Sequence, residues 1–133
     1  MFFSFDLQTQ NQTALIDITH LAVKAVQQAG IKDGLCLVYI PHTTAGVTIN
    51  ENADPDVVTD ILAALDKIVP AGGYRHREGN SPAHIKASLM GSSQTVIVRK
   101  GNLVLGTWQG IYFCEFDGPR RRKIHIKVWQ TGA

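Results

Sequence analysis

Leu35-Cys36-Leu37-Val38-Tyr39-Ile40-Pro41 decides the fold. Six apolar residues follow one another without alternation, and the run stops at a proline, which has no N–H to give a ladder. A short run apolar on both sides reads as a strand at the centre of a sheet. Upstream, Ile18, Leu21, Ala22, Ala25, Val26 and Ala29 recur at helical spacing, with Asp17 or Thr19 to cap the helix and Gly30 to end it. His20, Lys24, Gln27 and Gln28 share the opposite face, which makes His20 a solvated residue. Further back, Phe3, Phe5 and Leu7 alternate with Ser4, Asp6 and Gln8, the period of a half-buried strand, and Gln8 to Thr13 is a polar turn.

Downstream of Pro41, His42 to Gly46 makes a loop and Val47-Thr48-Ile49-Asn50 a short second strand. Asp54-Pro55-Asp56 opens a helix, with Asp54 as cap and acid in the first turn. Val58, Ile61, Leu62, Leu65 and Val69 are its apolar stripe, and Pro70-Ala71-Gly72-Gly73 breaks it. Ser81 as cap and Pro82 at the first position start a short helix, with Gly91 suited to a left-handed stop. Then come Thr95 to Val98, a Lys100-Gly101-Asn102 turn with Gly101-Asn102 as the hairpin pair, Leu103 to Leu105, and a long strand from Trp108 to Phe116. In the last strand Ile124, Ile126 and Val128 face inward, while Lys123, His125, Lys127 and Trp129 face out. The expectation is α+β: a single compact domain over residues 1–133, a largely antiparallel sheet or sandwich with two main helices and one short helix, and a C-terminal half made of hairpins.

Composition narrows the function classes. The chain has 133 residues, 44% hydrophobic and 18% charged, as expected of one globular domain. A net charge of +2 gives no reason to expect nucleic acid or an anionic membrane as partner, and too few basic residues interleave with Trp108, Tyr112 and Phe116 for a nucleobase platform. These three aromatics fit a core or a subunit interface better. No window approaches the roughly 20 apolar residues of a membrane span, and no signal peptide is visible, so a cytoplasmic protein is expected. Cys36 and Cys114 sit inside apolar runs, as buried reduced thiols do.

Chemistry-bearing residues gather at element ends. Tyr74-Arg75-His76-Arg77-Glu78-Gly79-Asn80-Ser81-Pro82-Ala83-His84 holds two of the five histidines. His84 falls in the first turn of the short helix, where the positive end of the macrodipole disfavours imidazolium. With His42, directly after the central strand, His76 and His84 can make a three-nitrogen site for a divalent metal with one position open. The plain alternative for His42 is a strand-end residue bonding a nearby backbone group. Glu51 is a candidate acid, base or carboxylate ligand, and capping is the plainer role for Asp54. Arg120, just after Gly118-Pro119, offers a guanidinium fork for phosphate or carboxylate, or an ion pair with Asp117 or Glu115. Arg121 and Arg122 read as a solvated charge run. Nothing resembles a Walker or Rossmann pattern or an activated nucleophile.

Three ordered stretches closely resemble the signatures of the YjbQ family. They are Pro41-His42-Thr43-Thr44-Ala45-Gly46-Val47-Thr48-Ile49-Asn50-Glu51 with Asp54-Pro55-Asp56, then His76 to Lys86, then Leu103 to Ile111 with Glu115 to Arg120. The resemblance spans nearly the whole chain. It implies a compact α+β domain forming homotrimers, with signature residues near subunit contacts and a zinc or magnesium ion near the signature histidines. It also implies weak thiamine-phosphate-synthase activity, a transferase reaction joining a pyrimidine diphosphate to a thiazole phosphate. On that reading His42, Glu51 and Asn80 are catalytic candidates. Arg120, Lys86, Thr43, Thr44 and Gln109 would hold substrate phosphate, and His42, His76 and His84 the metal. Two alternatives stand beside it: metal-dependent hydrolysis of a small phosphorylated metabolite, and a trimeric binding module with a structural metal.

Overall fold

Leu35 to Tyr39 does take the middle of a sheet. The computed structural model describes residues 1–132. In chain order the elements are β1 (Phe2–Gln8), β2 (Ala14–Asp17), α1 (Thr19–Ala29), β3 (Gly34–Tyr39), β4 (Ala45–Glu51), α2 (Pro55–Ile68), α3 (Ser81–Met90), β5 (Ser93–Arg99), β6 (Asn102–Leu103), β7 (Gln109–Glu115) and β8 (Arg121–Gln130). One sheet has the order β1-β8-β3-β5-β6 and the other β2-β7-β4. Every strand pairing is antiparallel. The α+β class with two main helices and a short one is therefore what the chain forms.

Strand β3 is central in order but covered on one side only. Cys36 and Val38 are buried, whereas Leu35 and Leu37 are half-buried and Tyr39 is exposed on the outer face. Strand β8 shows the expected alternation: Ile124, Ile126 and Val128 are buried and Lys123, Lys127 and Trp129 point out. The strand buried on both faces is β7. Its Ile111 and Phe113 join Ala22, Ala25 and Val26 of α1 in a core shared by both sheets. Its Cys114, with Phe116 just past its end, packs with Leu65 of α2 and Ala83 and Ala87 of α3 on the other side. The small sheet is thus held between the large sheet with α1 and the α2–α3 pair.

The C-terminal half is not a series of hairpins. Among the described residues only β5 and β6 pair there as neighbours in sequence, because β6, β7 and β8 alternate between the sheets. The turn lies within the expected Lys100-Gly101-Asn102 stretch, but its two central residues are Lys100 (φ 53°) and Gly101 (φ 78°) and not Gly101-Asn102, both in the left-handed region that two-residue hairpins use. Strand β2 has no counterpart in the sequence reading, since four residues next to a helix start carry little periodicity. Asp54 caps α2 as expected, its carboxylate accepting from the Asp56 N–H at 2.9 Å. Helix α3 begins at Ser81 itself with Asn80 as the cap residue, and Gly91 ends it at φ 90°, ψ 165°, a conformation open to glycine but outside the left-handed helical region. Both cysteines are free and buried, and burial pushes their thiols up to about 11 (Cys36) and about 12 (Cys114). No helix among the described residues is long and apolar enough to cross a membrane.

Candidate functional site

Where β7 ends and β8 begins, period two carries a carboxylate and a guanidinium into the interior. Glu115 continues the inward series of Ile111 and Phe113, and Arg122 continues that of Ile124 and Ile126. Neither has appreciable exposed surface. Arg122 Nε donates to Glu115 Oε1 at 2.9 Å and to Oε2 at 3.2 Å, and Nη2 donates to Oε2 as well. Nη2 also reaches the Thr44 carbonyl at 3.3 Å and its hydroxyl at 3.0 Å. Thr9 Oγ1 donates to Glu115 Oε1 at 2.7 Å, and the Asp117 N–H donates to Oε2 at 3.1 Å. Burial by itself would raise the Glu115 carboxyl, but these donors outweigh it and hold the group below the usual carboxylate range. The pair ties β1's exit, the loop after β3 and the β7–β8 connection to one point.

His42 stands on that tied loop. Its Nε2 accepts the Lys123 backbone N–H at 2.9 Å. Burial first, and then the Arg122 charge, push His42 below the ordinary histidine value. The ring lines a cleft of about 510 Å³ with Thr43, His84, Ser88 and the end of α3. His84 faces His76 on its other side, with ring centroids 5.5 Å apart and planes at 81°.

A second cleft of about 510 Å³ lies between α2, α3 and the end of β7, lined by Asn80, Lys86, Glu78, Asp66 and Asp117 among others. Asn80 Nδ2 donates to Asp117 Oδ2 at 3.0 Å, and its own Oδ1 is buried without a partner among the described residues. Arg120 is half-exposed; Nε and Nη2 donate to the Asp117 carbonyl and carboxylate at 2.9 and 3.0 Å. Its Nη1 has no partner among the described residues.

Several expected roles change here. Lys86 is buried and ion-paired with Asp66, so it is not a free anion contact. Thr44 is buried and its hydroxyl serves Arg122, whereas Thr43 is exposed. Arg122 is no part of a solvated run. His20 is exposed, as expected.

Glu51 and Gln109 belong to the opposite end of the β4–β7 ladder, where they pair in register. Strand β4 has seven residues, so at a rise near 3.4 Å Glu51 lies about 20 Å from Ala45. Gln109 Oε1 accepts the Gly106 N–H at 2.7 Å, and the Glu51 carbonyl accepts the Tyr112 hydroxyl at 3.2 Å. Trp108, expected within the strand, precedes it and is 62% exposed, while Tyr112 and Phe116 are buried. One chain does not bring Glu51 or Gln109 to His42.

The three-histidine metal centre does not form within the chain either. His76 and His84 meet, but the Nε2 lone pair of His42 is taken by a backbone N–H. Among the described residues no three His, Cys, Asp or Glu side chains are grouped to hold a metal. A zinc site needs unprotonated nitrogens aimed at one point, and His42 aims its acceptor at Lys123.

Sequence reasoning passed over Glu115 and Arg122 as a buried pair. The signal was present: stepping back by two from Ile124 reaches Arg122, and stepping forward by two from Phe113 reaches Glu115. Charged residues in inward register on successive strands imply a pair. Thr9 gave no such sign, because it follows the last residue of its strand.

Comparison with known proteins places the chain in a family. The description "UPF0047 protein YjbQ-like" matches residues 3–131. The UPF0047 protein YugU of Bacillus subtilis is 52% identical over 130 residues, covering 96% of this chain and 98% of that one. A UPF0047 protein of Methanocaldococcus jannaschii is 50% identical over 129 residues, covering 96% and 94%. A crystal structure of an uncharacterised YjbQ/UPF0047 protein from Clostridium acetobutylicum superposes with a TM-score of 0.94 at 61% identity, covering 96% of this chain and 99% of that one. A YbjQ-like protein of unknown function from Sulfolobus solfataricus gives 0.94 at 34% identity, covering 98% and 97%. The chain belongs to the YjbQ/UPF0047 family.

Proposed function

We propose that the chain handles phosphorylated metabolites, and that its reaction is of the thiamine-phosphate-synthase type, a pyrimidine diphosphate joined to a thiazole phosphate. The observation that supports this is the polar rim at the β7–β8 end of the small sheet. Arg120 with Nη1 free, Asn80 at the start of α3 and a neutral His42 stand there without packing any core.

In such a reaction the thiazole nitrogen's lone pair forms the new C–N bond. The carbon–oxygen bond to the diphosphate breaks, and its electrons leave with the diphosphate. Positive charge develops on carbon and negative charge on the departing oxygens, and no proton moves in the exchange. Preorganised donors therefore matter more than a base. Arg120 supplies a charged fork and Asn80 and Thr43 neutral contacts, while Glu51 has no step to perform. Glu78 and Asp117 line the same region, so the diphosphate enters as its magnesium complex, the ion belonging to the substrate.

The assembly in this proposal is a homotrimer. Trp129, Tyr39, Ile97 and Val104 leave apolar surface on the outer face of the large sheet, which self-association would cover. A neighbouring copy is then the source of any contribution from Glu51 and Gln109.

Incubating the purified chain with both phosphorylated substrates and magnesium, and following thiamine phosphate by mass spectrometry, tests the reaction. Product should form, and Arg120→Ala should reduce it. Absence of product at enzyme concentrations equal to substrate would end the proposal. A monomer mass by light scattering at micromolar concentration would end the trimer.

A further inference from the structure

We infer that His42 works as a neutral hydrogen-bond donor through Nδ1, fixed in that tautomer by the Lys123 backbone and positioned by the buried Glu115–Arg122 pair, and that it presents this donor to an oxygen of an anionic ligand. The anion part rests on the function proposed above; the tautomer does not. The inference departs from the roles that histidine type and position first suggest, metal ligand and general base.

The argument begins with hydrogen-bond direction. A backbone amide only donates, so the 2.9 Å contact from Lys123 N requires a lone pair on Nε2. A neutral imidazole with an unprotonated Nε2 carries its proton on Nδ1. Taking a second proton would leave the ring doubly protonated, with one N–H facing another across that contact. The amide's bond therefore counts for the neutral ring and against the imidazolium.

The surrounding charges act in the same sense on balance. Arg122 and Arg120 oppose a positive ring, Glu115 favours one, and Arg122 outweighs Glu115. The Lys123 ammonium is turned away to Asp6, at 2.9 Å. His84 is the titratable group across the cleft. Geometry is held from below. Arg122 Nη2 grips both oxygens of Thr44, two residues from His42, and Glu115 holds Arg122 in place. Arg122 and Lys123 are consecutive, so the residue that grips the loop precedes the one that bonds the ring.

A neutral imidazole donor suits oxygens that gain negative charge during a reaction, because it gives a hydrogen bond without surrendering its proton. Metal binding through Nε2 would require breaking the Lys123 contact. General-base action at Nδ1 would require its proton to sit on Nε2 instead, facing the Lys123 N–H, and accepting another proton would leave the doubly protonated ring that the contact opposes.

Long-range proton–nitrogen spectra of the full-length labelled protein read the tautomer directly, with His42 assigned through a His42→Asn variant. The expected result is a protonated Nδ1, a bare Nε2 and a titration midpoint below the ordinary histidine value of about 6.5. Magnesium pyrophosphate should shift the Nδ1 signal, whereas zinc should leave both His42 nitrogens unchanged. Glu115→Gln combined with Arg122→Met removes both charges without stranding either. It should raise the midpoint and let both tautomers appear; Thr44→Val gives a smaller change in the same direction and serves if the double variant does not fold. Asparagine places its amide nitrogen near the Nδ1 position and glutamine near Nε2. His42→Asn should therefore keep magnesium pyrophosphate affinity within about threefold, and His42→Gln should lose about tenfold.

A protonated Nε2, an imidazolium at neutral pH, zinc-shifted His42 nitrogens, no pyrophosphate response at Nδ1, or glutamine outperforming asparagine would each overturn the inference. The two proposals fail separately. The expected tautomer and pyrophosphate response without synthase product would leave this inference standing and remove the reaction. Product formed by a protein whose Nε2 is protonated would do the reverse.

Discussion

At the Ala45 end of the β4–β7 ladder, Glu115 has no exposed surface and its carboxylate takes hydrogen bonds from Thr9, Arg122 and the Asp117 backbone. At the Glu51 end, the polar groups are exposed or half-exposed and bond mainly to what lies beside them. Asp17 accepts from the Thr19 N–H and hydroxyl, Asn52 reaches Asp17 at 3.2 Å, and Gln109 reaches back to Gly106. Both ends of the ladder carry a glutamate, Glu115 on β7 at the first and Glu51 on β4 at the second. The first end is closed over by β8 and the loop after β3, so each unmade bond there leaves a buried group unpaired. The second opens to water, which replaces any bond that is lost. Polar residues become rigid parts of a site where the fold removes their solvent.

The contrast is sharpest in stability. Glu115→Ala leaves the Arg122 charge buried and uncompensated, and should destabilise the fold by about 3–5 kcal/mol in urea unfolding. A loss below about 1 kcal/mol would mean that water reaches Arg122 and that the two ends are alike. Ligand binding should show the next largest effect. Arg120→Ala removes a charge-assisted contact and should weaken magnesium pyrophosphate binding about tenfold or more by calorimetry, while Gln109→Ala at the open end should change it less than about twofold. Equal effects would merge the two ends into one site and favour contribution from a neighbouring copy.

Acid should also act through the closed end. Glu115 has a folded pKa below its unfolded value, so its contribution is complete above the ordinary carboxylate pKa of about 4.3 and is lost as pH falls through the lower folded value. His42 has the same sign: its folded pKa is lowered, so stability declines as pH falls below about 6.5 and through the folded value. Stability followed against pH in the Glu115→Gln variant should lose the lower limb and keep the upper one. A variant as acid-sensitive as the parent at both limbs would show that other carboxylates set the curve. The smallest effect belongs to the open end. Glu51→Ala should change monomer stability by no more than about 0.5 kcal/mol.

Much of the fold was legible because periodicity reports burial directly. The inward Ile124, Ile126 and Val128, the Asp54 cap and the Gly30 stop each depend on residues within a few positions, and each stands as the sequence indicates. The assignment of β6, β7 and β8 to alternating sheets was not legible, because antiparallel strands next to each other in sequence pair with each other unless their partners elsewhere bury more surface. Strand β7 is covered on both faces by elements far away in the chain, and no local pattern names them.

The site divides in the same way. Sequence determined which groups cluster at element ends and that His42 follows the central strand. It also offered the backbone-bonded histidine as an alternative to the metal ligand, without the means to choose. Only the tertiary structure supplied the Lys123 amide, 81 positions along the chain, that fixes the direction of the ring. It also separated Glu51 from His42 by the length of a strand and turned Arg122 from one of several surface cations into half of a buried pair. A side chain's chemistry belongs to its type, but its protonation, tautomer and partners depend on which solvent is removed and which distant backbone takes its place. That is settled when the sheets close on each other.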